Sequence, residues 1–168
     1  SATFREITMA RARTRDGQTM LAVNDLFIGQ KTHVSARYDL TWNSRQESQS
    51  SSGIIISTGL GSSGWYRSVM AQASGIAECF GGPRLVSRGA AWEEKALTFV
   101  VREPFPSGRT QAGIVCGRLT SQDTFRILSQ MPKNGVVFSD GMEQDAIEFN
   151  AGTEVIVEIA PNRGILVA

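Results

Sequence analysis

Gly53-Ile54-Ile55-Ile56-Ser57-Thr58-Gly59-Leu60-Gly61-Ser62-Ser63-Gly64-Trp65 is an apolar, β-branched run that gives way to glycines and hydroxyls. Consecutive isoleucines between Gly53 and a Ser-Thr-Gly break read as a buried strand, Gly53–Ser57, that enters a tight turn. From Ser62 onward, Trp65, Val69, Met70, Ala73 and Ile76 recur at helical spacing and define one apolar face. Gly75 weakens this helix and Gly81-Gly82-Pro83 ends it. Strand, glycine turn and helix together form the architecture of an anion or nucleotide cradle. Glycines let backbone approach a ligand, and the first N–H groups of a helix lack internal partners. Ser57, Thr58, Ser62 and Ser63 add hydroxyls. A plainer reading stays open, with Ser62 or Ser63 as an ordinary N-cap and Gly59 and Gly61 as turn residues.

Two common nucleotide motifs are excluded or weakened by what surrounds this stretch. The P-loop lysine is missing, since nothing matches GxxxxGK[ST]. Gly59-x-Gly61-x-x-Gly64 satisfies the literal GxGxxG pattern, but a Rossmann unit needs a second parallel strand ending in an acid about 20 residues on. Glu78 lies near that spacing within a helical pattern, and no repeating βαβ units follow.

Outward from the turn, alternation predicts strands at Arg5–Arg13, Leu21–Ile28, His33–Leu40, Leu97–Val101, Gly113–Gly117, Thr124–Leu128, Gly135–Ser139, Glu154–Ile159 and Gly164–Val167. Asp16-Gly17, Asn134-Gly135, Asp140-Gly141 and the Asn150-Ala151-Gly152 and Pro161–Gly164 stretches supply the residues that tight hairpin turns require. The polar run Asn43–Ser52 has nothing apolar to bury and reads as a mobile surface loop. The expectation is a mainly β domain: a sandwich of many short strands with one helix after the Gly-rich turn.

Composition bounds the function. The 168 residues fit one domain; 17 Lys+Arg against 16 Asp+Glu give a net charge of +1, which argues against nucleic-acid binding through a dense basic face. No apolar run approaches the roughly 20 residues of a membrane span, and no signal-peptide pattern opens the chain. Cys79 and Cys116 lack a CxxC partner and read as free, mostly buried thiols of a reducing compartment, with neither disulfide nor metal site. His33 is the single histidine and reads as a strand-edge residue, which leaves little room for a histidine-dependent hydrolase.

Leu21-Ala-Val-Asn24-Asp25-Leu-Phe-Ile28, followed downstream by the Ser52–Trp65 turn, resembles the NAD kinase family. Val136-Val-Phe-Ser-Asp140-Gly141 and Phe149–Val157 resemble that family's later elements, so the likeness runs from about Ile7 to Val167. The resemblance implies the family's β-sandwich C-terminal domain, spanning residues 1–168. An N-terminal α/β domain carrying the GGDGT base motif would lie outside this chain. Ser51-Ser52-Gly53, the TGLGS loop, Trp65 and Arg102-Glu103-Pro104 look closer to the divergent, mitochondrial-type branch.

The implied activity is transfer of a phosphoryl group from ATP, with Mg²⁺, to the 2′-hydroxyl of NAD, giving NADP. This domain would bind nucleotide and be inactive alone, with no catalytic base of its own. Carried over by position, the nucleotide-binding residues are Asn24, Asp25, Thr58, Gly59, Gly61, Ser62, Ser63 and Trp65. Asp25 is a methylene shorter than the usual glutamate, Trp65 replaces a tyrosine, and Ser52 stands where an aspartate is common. Implied partners are NAD or NADP, ATP, the chain's own N-terminal domain and further copies of the chain. Nucleic acid and membrane are not among them, and the compartment would be cytoplasm in a bacterium or mitochondrion in a eukaryote. The rival reading is a related kinase or a non-catalytic binding or assembly module for a sugar, nucleoside or lipid. Arg11, Arg13 and Arg15 read as a solvated strand edge, Arg102 and Glu103 stay unassigned, and Asp140 reads as a hairpin residue rather than a metal ligand.

Overall fold

The isoleucine run forms β7 (Ile54–Ser57), a strand buried at every residue, with a hydrophobic cluster on each of its two faces. In the computed structural model, which describes residues 2–87 and 89–167, β7 lies in a six-stranded sheet. Its companions are β4 (Asp25–Gln30), β8 (Leu97–Val101), β9 (Cys116–Leu119), β11 (Gly135–Ser139) and β12 (Met142–Glu148), in the order β12-β11-β4-β7-β8-β9. A second six-stranded sheet contains β2 (Ala10–Thr14), β3 (Thr19–Ala22), β5 (Ala36–Trp42), β6 (Arg45–Ser51), β10 (Phe125–Ser129) and β13 (Glu154–Ile159), in the order β3-β2-β13-β10-β5-β6. A ribbon of β1 (Phe4–Ile7) and β14 (Gly164–Val167) completes the strands of the described residues. Every neighbouring pair is antiparallel. The parallel sheet of a Rossmann unit is therefore excluded.

Side-chain alternation sorts the residues of the first sheet between two cores. Leu26, Ile28, Ile54, Ile56 and Phe99 point inward against Tyr38, Leu40, Phe125 and Ile127 of the second sheet. Phe27, Ile55, Val100, Val136 and Phe138 form an outer cluster with Tyr66, Trp65, Val69 and Met70 of the helix α1 (Trp65–Cys79). Strands covered on both faces read as continuous apolar runs, which is why β7, β8 and β11 were legible. The mainly β sandwich with one long helix after the glycine turn is as expected. Among the described residues no helix is long and apolar enough to cross a membrane.

Several expectations need correction. The polar run Asn43–Ser52 is no loop: Arg45–Ser51 pairs with β5 along its whole length, and Gln49, Ser50 and Ser51 are buried. Its polar groups find partners inside, since the Tyr38 hydroxyl is 3.1 Å from Gln49 Oε1 and 2.6 Å from Ser51 Oγ, and Gln49 Nε2 donates to the Ile114 carbonyl at 2.9 Å. Arg5–Arg13 and Leu21–Ile28 are each split in two, because the chain changes sheet at Thr8–Met9 and at Val23–Asn24.

His33 lies in an exposed bend before β5 rather than on a strand. Arg11 and Arg13 are on an interior strand, where both bond Glu158, and Arg15 bonds Glu154. Cys79 and Cys116 are exposed, one in the last turn of α1 and the other opening the edge strand β9. On α1 the expected face holds at Trp65, Val69 and Met70, which pack on the outer cluster, but Tyr66 joins it and Ile76 faces solvent.

Candidate functional site

The site forms where the chain leaves β3 for β4, crossing from one sheet to the other through Val23 and Asn24. Strand ends leave backbone groups unpaired, and here two side chains take them. Asp140 Oδ1 accepts the N–H groups of Asn24 (2.7 Å) and Asp25 (3.2 Å), and its Oδ2 accepts that of Val23 (3.0 Å). The Thr58 hydroxyl donates to the Val23 carbonyl at 2.5 Å and accepts the Gly61 N–H at 3.1 Å, while the Thr58 N–H bonds the Asn24 carbonyl at 2.9 Å. The Asn24 backbone is thus held from both sides, and no hydrogen bond to a described residue engages the Asn24 amide or the Asp25 carboxylate.

Those two side chains border a cleft of about 400 Å³, closed by Gly61, Ser63, Trp65 and Asp140. Burial, reinforced by the charge of Asp140, pushes the Asp25 carboxyl above the usual carboxylate range. The folded chain therefore holds this proton more tightly than the unfolded chain. The stabilisation is complete below the unfolded value and is lost as pH rises through the raised folded one. Thermal melts between pH 4 and 7 should show wild type losing ground to Asp25→Asn as pH increases, with the gap levelling once the carboxyl is ionised.

The expected residues divide by location. Asn24, Asp25, Gly61, Ser63 and Trp65 meet at the cleft. Thr58 is buried behind it as a clamp. Gly59 is packed against the backbone of Ala90 and Ala91, where a Cβ would come within 2.3 Å of the Ala91 carbonyl oxygen. Ser62 donates to the Gly59 carbonyl at 2.7 Å and borders a different cavity beside Arg67 and Ser74. Neither Ser62 nor Ser63 caps α1, which is preceded by the short 3₁₀ turn Leu60–Ser63 and by Gly64 without a side-chain cap. Trp65 stacks on Phe27 with ring centroids 5.3 Å apart, and the Arg102 guanidinium lies 5.0 Å from its ring centre.

Asp140 is the residue that sequence reasoning missed. The positive φ of Asp140 and Gly141 makes the expected hairpin turn, yet the same turn aims the carboxylate across the sheet edge at residues 23–25. No sequence separation links positions 116 residues apart; the signal was only an Asp-Gly pair.

No protein-family model matches the sequence, and no curated protein matches it. Sandwich, glycine turn and outer helix define a mainly β domain with the fold of an NAD kinase C-terminal domain. The likeness is to an NAD kinase from Archaeoglobus fulgidus whose crystal structure is in complex with ATP, with a TM-score of 0.63 at 15% identity. It covers 97% of this chain and 54% of that one, so the chain spans about half the length of that kinase.

Proposed function

We propose that this chain is the nucleotide-binding domain of an NAD kinase-like phosphotransferase that phosphorylates the 2′-hydroxyl of NAD. The observation that carries this reading is the pair of unengaged side chains, Asn24 and Asp25, on a backbone clamped by Asp140 and Thr58 at the edge of a cleft. A carboxylate suits ribose hydroxyls, which donate to it, and an amide suits the donor and acceptor edge of a base. In the reaction the γ-phosphoryl group of ATP passes to the acceptor oxygen, and ADP and a proton leave. A rigid acceptor site lowers that barrier by fixing orientation before charge develops.

Asn24, Asp25, Gly61, Ser63 and Trp65 form the contact surface in this reading, with Thr58, Gly59 and Ser62 shaping the turn behind it. The base belongs to an N-terminal α/β domain joined to this one, as the two-domain plan requires. Among the described residues no group of three or more His, Cys, Asp and Glu side chains is placed to hold a metal. In this reading Mg²⁺ would arrive with ATP and would neutralise phosphate charge. The TGLGS loop, Trp65 and Arg102-Glu103-Pro104 support a place near the divergent branch of such kinases, and self-association through this domain goes with the same reading.

Calorimetric titration with NAD, NADP and ATP tests it. NAD or NADP should bind saturably, and Asn24→Ala and Asp25→Ala should each weaken binding about tenfold, as loss of one ligand hydrogen bond to a charged or desolvated group does. A folded chain that binds none of the three, but binds a nucleoside, sugar or lipid acceptor, would move the function to a related kinase or binding module.

A further inference from the structure

Trp65 borders a second system of cavities, lined by Lys31 and Glu143 at the groove beside it and by basic residues beyond. A narrow groove of about 140 Å³ runs along Trp65, Phe27 and Lys31. It shares Phe27, Gln30 and Lys31 with a pocket of about 310 Å³ that is also bordered by His33, Ser52 and Arg102. Three basic side chains and the hydroxyls of Thr32, Ser35 and Ser52 line this pocket, and no described carboxylate does.

Arg102 is held in place from several directions. Its N–H donates to the Gly53 carbonyl and its carbonyl accepts the Ser52 N–H, both at 2.9 Å. Its guanidinium lies over Trp65, and its one acidic neighbour, Glu103, is 3.9 Å away and half-exposed. Glu103 adopts a φ of 40°, a left-handed conformation that costs energy in a non-glycine residue and is sustained by its surroundings. Lys31 and Arg102 carry like charge on one pocket, and an anion bound there is attracted by both. A planar, pre-oriented guanidinium matches phosphate oxygens in particular. The carboxylates Asp25 and Asp140 border the cleft on one side of Trp65, and Lys31, His33 and Arg102 border the pocket on the other, with Glu143 on the groove between Trp65 and Lys31.

We propose that the pocket formed by Lys31, His33 and Arg102 binds a phosphate group of the nucleotide whose ribose lies against Asp25, with Arg102 as the fixed ligand. The identity of the nucleotide rests on the function proposed above; the anion site does not. Phosphates seated in the acidic cleft would face like charge, whereas the pocket places them beside cations and leaves Asp25 to the hydroxyls.

The test is calorimetry on the whole chain with two probes, inorganic pyrophosphate and NAD, comparing wild type with Lys31→Met, Arg102→Met and Arg102→Lys. Pyrophosphate should bind wild type, weaken as salt is raised, and bind each Met variant about tenfold less tightly, with Arg102→Lys intermediate. NAD should weaken in the Met variants by a similar factor. Lys31 is exposed, so its variant retains the fold even if Arg102→Met does not, and thermal melts check both. Pyrophosphate binding that is absent, or unchanged in Lys31→Met and in folded Arg102→Met, overturns the pocket. Equal NAD affinity in wild type and both Met variants overturns the assignment of the pocket to the nucleotide's phosphate and leaves the nucleotide reading intact. Pyrophosphate bound as expected by a chain that ignores NAD would retain the anion pocket, assign it to free polyphosphate, and discard NAD.

Discussion

Gly61→Ala is expected to destabilise the domain by about 3 kcal/mol, the upper part of the range for overpacking. For a chain of this length that is a fall of roughly 6–12 °C in melting temperature. A Cβ at Gly61 would lie 2.0 Å from the Asn24 carbonyl oxygen and 2.5 Å from its carbonyl carbon. Both are backbone atoms, and the same carbonyl accepts the Thr58 N–H, so relief requires moving the sheet crossover itself. Nucleotide binding should therefore fall together with stability. Gly75→Ala is the control: it lies inside α1, where an added Cβ meets nothing within 4 Å and alanine suits the helix. Melting curves of the two variants decide the matter, and a Gly61→Ala protein as stable as Gly75→Ala would mean that the turn is not pressed against Asn24.

This difference among the glycines explains how far the sequence could be read. Gly59, Gly61 and Gly64 look alike as a GxGxxG pattern, yet one is pressed on Ala91, one on Asn24, and one is nearly free. Glycine reports close approach but not what approaches. The strands that bury both faces were legible because burial leaves a local trace: Ile54–Ile56, Phe99–Val101 and Val136–Phe138 are apolar at successive positions. The strand β6 left no such trace. Its sequence, Arg-Gln-Glu-Ser-Gln-Ser-Ser, is held in the sandwich by Tyr38, Ile114 and residue-by-residue pairing with β5, all of which are supplied by other segments.

The site was legible to the same degree and for the same reason. Asn24, Asp25, Gly61, Ser63 and Trp65 were found through two local motifs, and the fold brings those motifs to one cleft. Thr58 and Ser62 have the hydroxyls a ligand would want, but the backbone of the turn already uses both. Motif spacing cannot distinguish a hydroxyl that faces a cleft from one that secures the loop behind it. Asp140 was passed over because a turn aspartate has a sufficient local explanation, and its second role depends on β11 lying beside β4.

That second role makes Asp140 the position where stability, protonation and binding should change together. Asp140→Gly keeps the left-handed backbone (φ 52° in the wild type) and removes the carboxylate. It should leave the N–H groups of Val23, Asn24 and Asp25 to solvent and cost about 3 kcal/mol, as loss of several charge-assisted bonds at a partly exposed site does. Asp140→Ala removes the same bonds and keeps a Cβ at positive φ that glycine relieves, so it should be less stable than the glycine variant. Asp140→Asn tolerates the backbone and retains one acceptor oxygen, so it should lie between wild type and glycine. The asparagine variant has a further consequence, because removing the charge leaves burial alone to raise the Asp25 carboxyl. In a carboxyl-carbon NMR titration, the Asp25 midpoint should move down toward the usual range in Asp140→Asn without reaching it. If the glycine variant melts with wild type while only alanine falls, the clamp contributes nothing and the turn was all that mattered. If the Asp25 titration is unchanged by Asp140→Asn, the two carboxylates are not coupled, and the cleft is less acidic than the contrast between cleft and pocket requires.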